Sequence, residues 1–153
     1  MKPDVKRRLQ GAWIAPISVI ADQVSKRLFA SAPQSVRNSG MAFSLLNGQN
    51  GLLTVVTTLT LLMLTVWLIA KPRSVEPLAR FGLWMVIGGG IGNLVDRVRF
   101  GEVIDFIELP RVRFAIFNIA DVFVVAGVCL AALSILTGGL THDGNDRGNG
   151  DDS

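Results

Sequence analysis

Six polar side chains crowd residues 88–121, GGGIGNLVDRVRFGEVIDFIELPRVRFAIFNIAD: Asn93, Asp96, Arg97, Asp105, Asn118 and Asp121. Apolar runs flank the stretch. A charged side chain at the centre of a membrane helix costs roughly 2.5–3.5 kcal/mol on insertion scales, so a chain that places several near hydrocarbon pairs them or uses them. Asp105 and Asp121 have a possible use together. Two carboxylates held close cannot both ionise easily, and they share one proton. The ionised partner can draw a proton from water as that water attacks an amide carbonyl. The protonated partner can polarise the carbonyl and then protonate the leaving nitrogen. No basic residue adjoins either aspartate in sequence, whereas Arg97 sits beside Asp96 and favours a fixed charge there. Three readings remain open on these residues alone: a catalytic carboxylate pair, a proton or ion pathway, and a structural polar network.

Composition sets the frame for positioning them. The chain has 153 residues, half of them hydrophobic, with one cysteine, one histidine and a net charge of +3. Its mean hydropathy is +0.45, and the apolar residues come in long runs. That pattern predicts one small multi-spanning membrane domain over residues 1–141, with a Gly-, Asn- and Asp-rich disordered tail over 142–153. The basic balance is read as Lys and Arg flanking membrane segments rather than as a nucleic-acid surface. Cys129 lies in an apolar run and has no partner for an internal disulfide. His142 sits at the tail and no HExxH pattern occurs, so a metal site or metalloprotease chemistry is not expected.

Four spans are predicted, at about 11–30, 52–70, 81–98 and 118–138. The start, with Lys2, Lys6, Arg7 and Arg8, resembles a signal peptide, but Asp22, Ser25, Lys26 and Arg27 stand where a cleavage site would be. It is read instead as a cytoplasmic flank. Asp22 and Lys26, four apart, share a helical face and can pair. Ser25 and Lys26 are adjacent, about 100° apart on a helix, and make a poor Ser–Lys dyad. The segment 52–70 carries no charge, and its threonines can bond to their own backbone. Span three is interrupted by Gly88, Gly89, Gly90 and Gly92, small residues that let membrane helices approach closely. Short strands are predicted at 38–46 and 103–109. With four spans both termini lie in the cytoplasm. The inner side then holds eight Lys and Arg (Lys2, Lys6, Arg7, Arg8, Lys71, Arg73, Arg80, Arg147). The outer side holds seven (Lys26, Arg27, Arg37, Arg97, Arg99, Arg111, Arg113). The concentrated N-terminal charge decides the orientation, because the first helix usually dominates. Asp22, Lys26, Asn93, Asp96, Arg97, Asp105 and Asp121 then converge on the outer leaflet. A proton-coupled transporter would use the same acids, but no internal repeat is visible.

Five blocks in order carry a resemblance to the lipoprotein signal peptidases, the type II signal peptidases of bacteria: DQVSK at 22–26, NSGMAFS at 38–44, GGGIGNLVDR at 88–97, GEVIDF at 101–106 and FNIAD at 117–121. The resemblance implies an all-α polytopic fold of four transmembrane helices with a small extracytoplasmic β platform and a mobile lid. It implies an intramembrane aspartic endopeptidase that removes signal peptides from diacylglyceryl-modified prolipoproteins, cutting just before the lipidated cysteine, without metal or cofactor. Asp105 and Asp121 would be the catalytic dyad. Asn38, Gly40, Gly89, Asn93, Arg97, Asn118 and Ala120 would line or support the site, and Asp22 and Lys26 would hold the first helix. The expected partners are prolipoproteins, membrane lipids and the cyclic peptide antibiotic globomycin, acting on a monomer. The expected location is the bacterial inner membrane, with the site near the outer face. Two positions depart from the family pattern: Met41, where a small residue is common, and Ala115, where proline is common.

Overall fold

The computed structural model describes residues 8–40, 49–71, 75–109 and 116–142, the last four by backbone alone. Met41, Ala115, most of the predicted 38–46 strand and residues 143–153 of the predicted tail lie outside the described residues.

Four helices dominate: α1 (Ile14–Phe29), α2 (Asn50–Ala70), α3 (Pro77–Phe100) and α4 (Ile119–His142). Four short strands join them at one end: β1 (Val36–Asn38), β2 (Val103–Asp105), β3 (Ile107–Glu108) and β4 (Ile116–Phe117). Three helices are long and apolar enough to cross a membrane: α2, α3, and α4 over Ile119–Gly138. Helix α1 has 16 residues, or roughly 24 Å of rise, less than the roughly 30 Å of a hydrocarbon core. It starts three residues later than the predicted span because Gly11 takes a left-handed φ of 81°. A side chain there would also press on the Phe81 ring at 2.7 Å. Residues 9–13 form turns instead, and Trp84 donates its indole N–H to Gln10 O at 3.1 Å.

Helix α3 is the central element, packing on all three others and most extensively on α4. Pro77 occupies its first turn, where a missing N–H costs nothing. Gly101, at φ 77°, closes its other end by donating to Arg97 O at 3.0 Å. The helix begins four residues before the predicted span, so Arg80 is not a loop cation. It is 1% exposed and donates to Leu68 O at 3.1 Å, near the carbonyl end of α2. Away from the strands, Ala15, Leu68, Val75, Ala79, Trp84 and Ile87 form the apolar core. The threonines of α2 behave as their backbone geometry suggests: Thr54, Thr58 and Thr60 donate to carbonyls four residues back at 2.7–2.8 Å.

The glycines of α3 set the helix spacing. A Cβ on Gly89 would strike Ala120 O of α4, and one on Gly82 would strike Gly127 O, with the reverse clash from Gly127 onto Gly82 O. The two backbones therefore touch directly, as small residues permit in membrane bundles.

The strands make two antiparallel pairs. In β1–β2, Val36 faces Asp105, Arg37 faces Ile104 and Asn38 faces Val103. In β3–β4, Ile107 faces Phe117 and Glu108 faces Ile116. The predicted strand at 103–109 is thus split at Phe106, whose ring stacks on Phe29 at 5.1 Å and ties the platform to α1.

Gly127→Ala is expected to force α3 and α4 apart and to lower the thermal midpoint in detergent by the equivalent of roughly 1–3 kcal/mol. Gly51→Ala, where an added Cβ meets nothing within 4 Å, should change stability by less than about 1 kcal/mol.

Candidate active site

Helix α1 supplies the foundation. Asp22 and Lys26 lie one turn apart and are 0% and 2% exposed. A buried ammonium demands partners, and Lys26 has three. Its Nζ lies 2.8 Å from Asp22 Oδ2, 2.8 Å from Asp96 Oδ2 and 3.0 Å from Asn93 Oδ1. Each of the three N–H donors of a lysine has an acceptor.

Both carboxylates in this knot reach further. Asp22 Oδ1 accepts the Ala120 backbone N–H at 2.9 Å, satisfying an amide in the first turn of α4. Asp96 Oδ2 accepts the Ile104 N–H of β2 at 3.3 Å, and its Oδ1 accepts Gln23 Nε2 at 2.9 Å. Gln23 also donates to Gly92 O at 3.2 Å. Asp96 is therefore held by Lys26 across the α1–α3 interface rather than by its sequence neighbour Arg97. Gly92 leaves the room: a Cβ there would meet Asp22 Oδ2 at 2.6 Å.

Asn93 carries the network toward the two aspartates. While its oxygen accepts Lys26, its Nδ2 donates to Asp121 Oδ1 at 2.8 Å. Asn118 then joins everything. It precedes α4, and its Oδ1 accepts the Asp121 N–H at 3.0 Å while its own N–H donates to Asp121 Oδ2 at 3.2 Å. That reciprocal pair is a capping box, with Asn118 as the cap and Asp121 three residues on. The Asn118 Nδ2 donates to Asp105 Oδ1 at 2.6 Å and to Asn93 Oδ1 at 3.1 Å. One buried asparagine thus binds both carboxylates.

Asp105 ends β2 and is 2% exposed. Its second oxygen accepts Asn38 Nδ2 from β1 at 3.0 Å, a diagonal contact across the strand pair. Asn38 is braced in turn, its Oδ1 accepting Gly40 N at 2.9 Å, while Arg97 Nη2 donates to Gly40 O at 3.0 Å. Burial pushes the Asp105 carboxyl up to about 6, and the charge of Asp121 adds to the rise. Donors from Asn38 and Asn118 and the charge of Lys26 oppose it. The two aspartates are not remote from cations, as their sequence neighbours suggested: Arg97 acts electrostatically on both.

The structure brings together Asp22, Lys26, Asn38, Gly40, Asn93, Arg97, Asp105, Asn118, Ala120 and Asp121, and places Gly89 beneath them against the Ala120 carbonyl. Two positions were missed in the sequence. Gln23 bridges Asp22, Gly92 and Asp96. Asn50, at the start of α2, donates to Arg97 O at 3.4 Å. Gln23 had one signal, its place three residues before Lys26 on the same helical face.

Lys26→Met is expected to strand two buried carboxylates and to cost roughly 3–5 kcal/mol. Adding Asp96→Asn should restore part of the loss, read as coupling in a double-mutant cycle of thermal melts. A second expectation follows from Asp105. Its folded-state pKa lies above the ordinary aspartate value, so the folded chain holds this proton more tightly than the unfolded one. The stability it contributes is present below the unfolded value and is lost as pH rises through about 6. The wild-type melting midpoint should carry a declining component over that window, and Asp105→Asn should lack it.

Residues 14–137 match the family model for signal peptidase (SPase) II. A lipoprotein signal peptidase of Bartonella bacilliformis is 37% identical over 127 residues, covering 81% of this chain and 74% of that protein. That of Bartonella quintana is 38% identical over 119 residues, covering 76% and 71%. A solved structure described as a bacterial membrane enzyme superposes with a TM-score of 0.74 at 28% identity, covering 94% of each chain. With the match spanning most of its length, and with helices long enough to cross a membrane several times, this chain belongs to the signal peptidase II family of membrane peptidases.

Proposed function

We propose that this protein is an intramembrane aspartic endopeptidase. It removes signal peptides from diacylglyceryl-modified prolipoproteins, cutting before the lipidated cysteine, with Asp105 and Asp121 as its catalytic pair. The observation that carries the reading is the position of Asn118, which donates to Asp105 Oδ1 at 2.6 Å and cradles Asp121 through two backbone bonds. Two carboxylates from separate segments are thereby fixed beside one another, where α3, α4 and the strands meet.

The chemistry divides between them. Asp105 is the more buried, and its pKa, pushed up to about 6, makes it the natural holder of the shared proton. It donates that proton toward the scissile carbonyl oxygen. Asp121, half-buried at the mouth of α4, takes a proton from the attacking water. Asp121 then passes the water proton to the leaving nitrogen, the C–N bond breaks, and Asp105 takes back a proton from the intermediate's hydroxyl, so the dyad is again singly protonated. Asn38, Asn93 and Asn118 hold the two carboxylates in place; Lys26 holds Asn93, and Asp22 holds Lys26 and the first turn of α4. A substrate with an apolar signal helix and a diacylglyceryl-cysteine partitions into lipid. Its scissile bond arrives near the membrane–water boundary, which is where a pair at the ends of α3 and α4 would meet it. In this reading α1 is a fourth, short span, both termini face the cytoplasm, and the dyad lies near the outer face of the bacterial inner membrane. The chain acts as a monomer, and a globomycin-like cyclic peptide occupies the dyad.

The test is cleavage of a purified diacylglyceryl-modified prolipoprotein in detergent. Wild type should cut it, and globomycin should block cleavage. Asp105→Asn and Asp121→Asn should each lower the rate on the order of 10³-fold or more, with melting midpoints that show folded protein. A folded variant that still cuts would remove that aspartate from the mechanism.

A further inference from the structure

Three arginines at the end of the bundle that carries the dyad take no part in the hydrogen bonds around it. Arg27 follows Lys26 on α1, Arg37 lies on β1 and Arg99 lies near the end of α3. They line one depression of about 310 Å³, floored by Gln23, Lys26 and Asp96. Their charges are poorly compensated. Arg37 lies 4.0 Å from Glu102, with both side chains exposed. Arg99 sits over the Phe100 ring at 5.8 Å. Arg27 has no ion pair or hydrogen bond among the described residues. The carboxylate in the floor, Asp96, is already engaged by Lys26 at 2.8 Å. Lys26 is already taken up by Asp22 and Asp96, which leaves three arginines beside one further carboxylate, Glu102.

Helix α1 also carries an apolar strip. Ile17, Ile20, Ala21, Val24 and Leu28 of α1 line a shallow groove of about 340 Å³, and Ile20 and Val24 are 62% and 48% exposed. Ile20, Val24 and Arg27 follow the i, i+4, i+7 spacing of one helical face, so Arg27 caps the strip at the membrane boundary. An apolar track ending in a cluster of cations matches an amphiphile with an acyl chain and an anionic head. With seven of the fifteen Lys and Arg on the outer side in the predicted orientation, the usual inner-side bias is weak, and the outer charge calls for a local use.

We infer that the depression between α1, β1 and α3 binds the phosphate headgroup of an anionic phospholipid, whose acyl chain lies along the apolar strip of α1. The inference does not require the peptidase reading, only that this end of the bundle meets the lipid–water boundary. Guanidinium groups suit phosphate because their planar forks donate two N–H bonds at once. The site lies behind Lys26, on the α1–α3 side, whereas the dyad lies on the α3–α4 side.

Native mass spectrometry in a non-ionic detergent tests this, with phosphatidylglycerol, phosphatidylcholine and glycerol 3-phosphate as separate probes. Wild type should retain one phosphatidylglycerol saturably and should not retain phosphatidylcholine at the same concentration. Glycerol 3-phosphate should not displace the lipid. The pair Arg27→Gln/Arg99→Gln should bind about tenfold more weakly or worse, and Arg27→Lys/Arg99→Lys should keep most of the binding. Both side chains are exposed, so melts should match wild type; if the double Gln variant fails to fold, the two single Gln variants decide by the same loss. Equal retention of phosphatidylcholine, unchanged affinity in folded Gln variants, or displacement by glycerol 3-phosphate would overturn the lipid assignment.

Discussion

The Lys26 ammonium is the point from which the rest of the site hangs. It sits at 2% exposure between two carboxylates that are themselves 0% and 1% exposed. One cation between two anions leaves a buried excess of negative charge, and the desolvation cost of such a set is large unless every lone pair is used. Here they are used by groups that define the fold. Asp22 takes an amide of α4, Asp96 takes an amide of β2 and a side chain of α1, and Asn93 passes the contact on to Asp121. Four elements thus meet at one charge knot, and each bond that neutralises the knot also orients a segment carrying a catalytic candidate. The same polar cluster that is expensive in hydrocarbon becomes a device for register.

That device works only because the helices touch. An asparagine has a short reach, so Asn93 on α3 can bond Asp121 on α4 at 2.8 Å only if the two backbones run close. The glycines provide this: Gly89 lies under the Ala120 carbonyl and Gly82 faces Gly127. The direct approach places the start of α4 over the polar face of α3. The capping box of Asn118 and Asp121 then aims the second carboxylate, and the β1–β2 pair aims the first through Asn38. A carboxylate on a helix cap and one at a strand end are both held by their own backbone surroundings, so the pair does not rely on long flexible side chains.

Much of this was legible in the sequence, for physical reasons that differ by element. Long uncharged runs announce α2 and α4 because hydropathy over twenty residues has no soluble alternative. The 22–26 pairing follows from helical period alone. Helix starts were less legible: Gly11 reads as an ordinary small residue of a span, and only the packing of Phe81 against it explains the left-handed turn. Arg80 looked like a loop charge because its acceptor, the Leu68 carbonyl, is a backbone atom with no sequence signature. Asp96 sits beside Arg97 in sequence, but helix geometry sends adjacent side chains apart, and which cation of another helix holds it, Lys26, needed the fold. Gln23 stands inside the DQVSK block and near the face of Lys26, but it carries no charge, and its bridge to Gly92 and Asp96 of another helix needed the fold. The Asn118–Asp121 box was present in the letters FNIAD. Its meaning depended on knowing that a helix begins there.

The placement of the pair also follows from dimension. Helix α1 rises only roughly 24 Å, too short to carry Asp22 and Lys26 far from the middle of the bundle while its N-terminal turns remain packed on Trp84. The polar knot is therefore drawn inward, below the strand platform, and the carboxylates sit above it. Deeper burial would raise the desolvation cost of any charge there. Shallower placement would relieve the desolvation that lifts Asp105 to about 6 and would leave it an ordinary ionised carboxylate. A shared proton needs the intermediate condition: enough burial to hold the proton near neutral pH, and enough donors to keep both carboxylates fixed once it moves. The short first helix, the glycine contacts and the lysine knot together impose that depth.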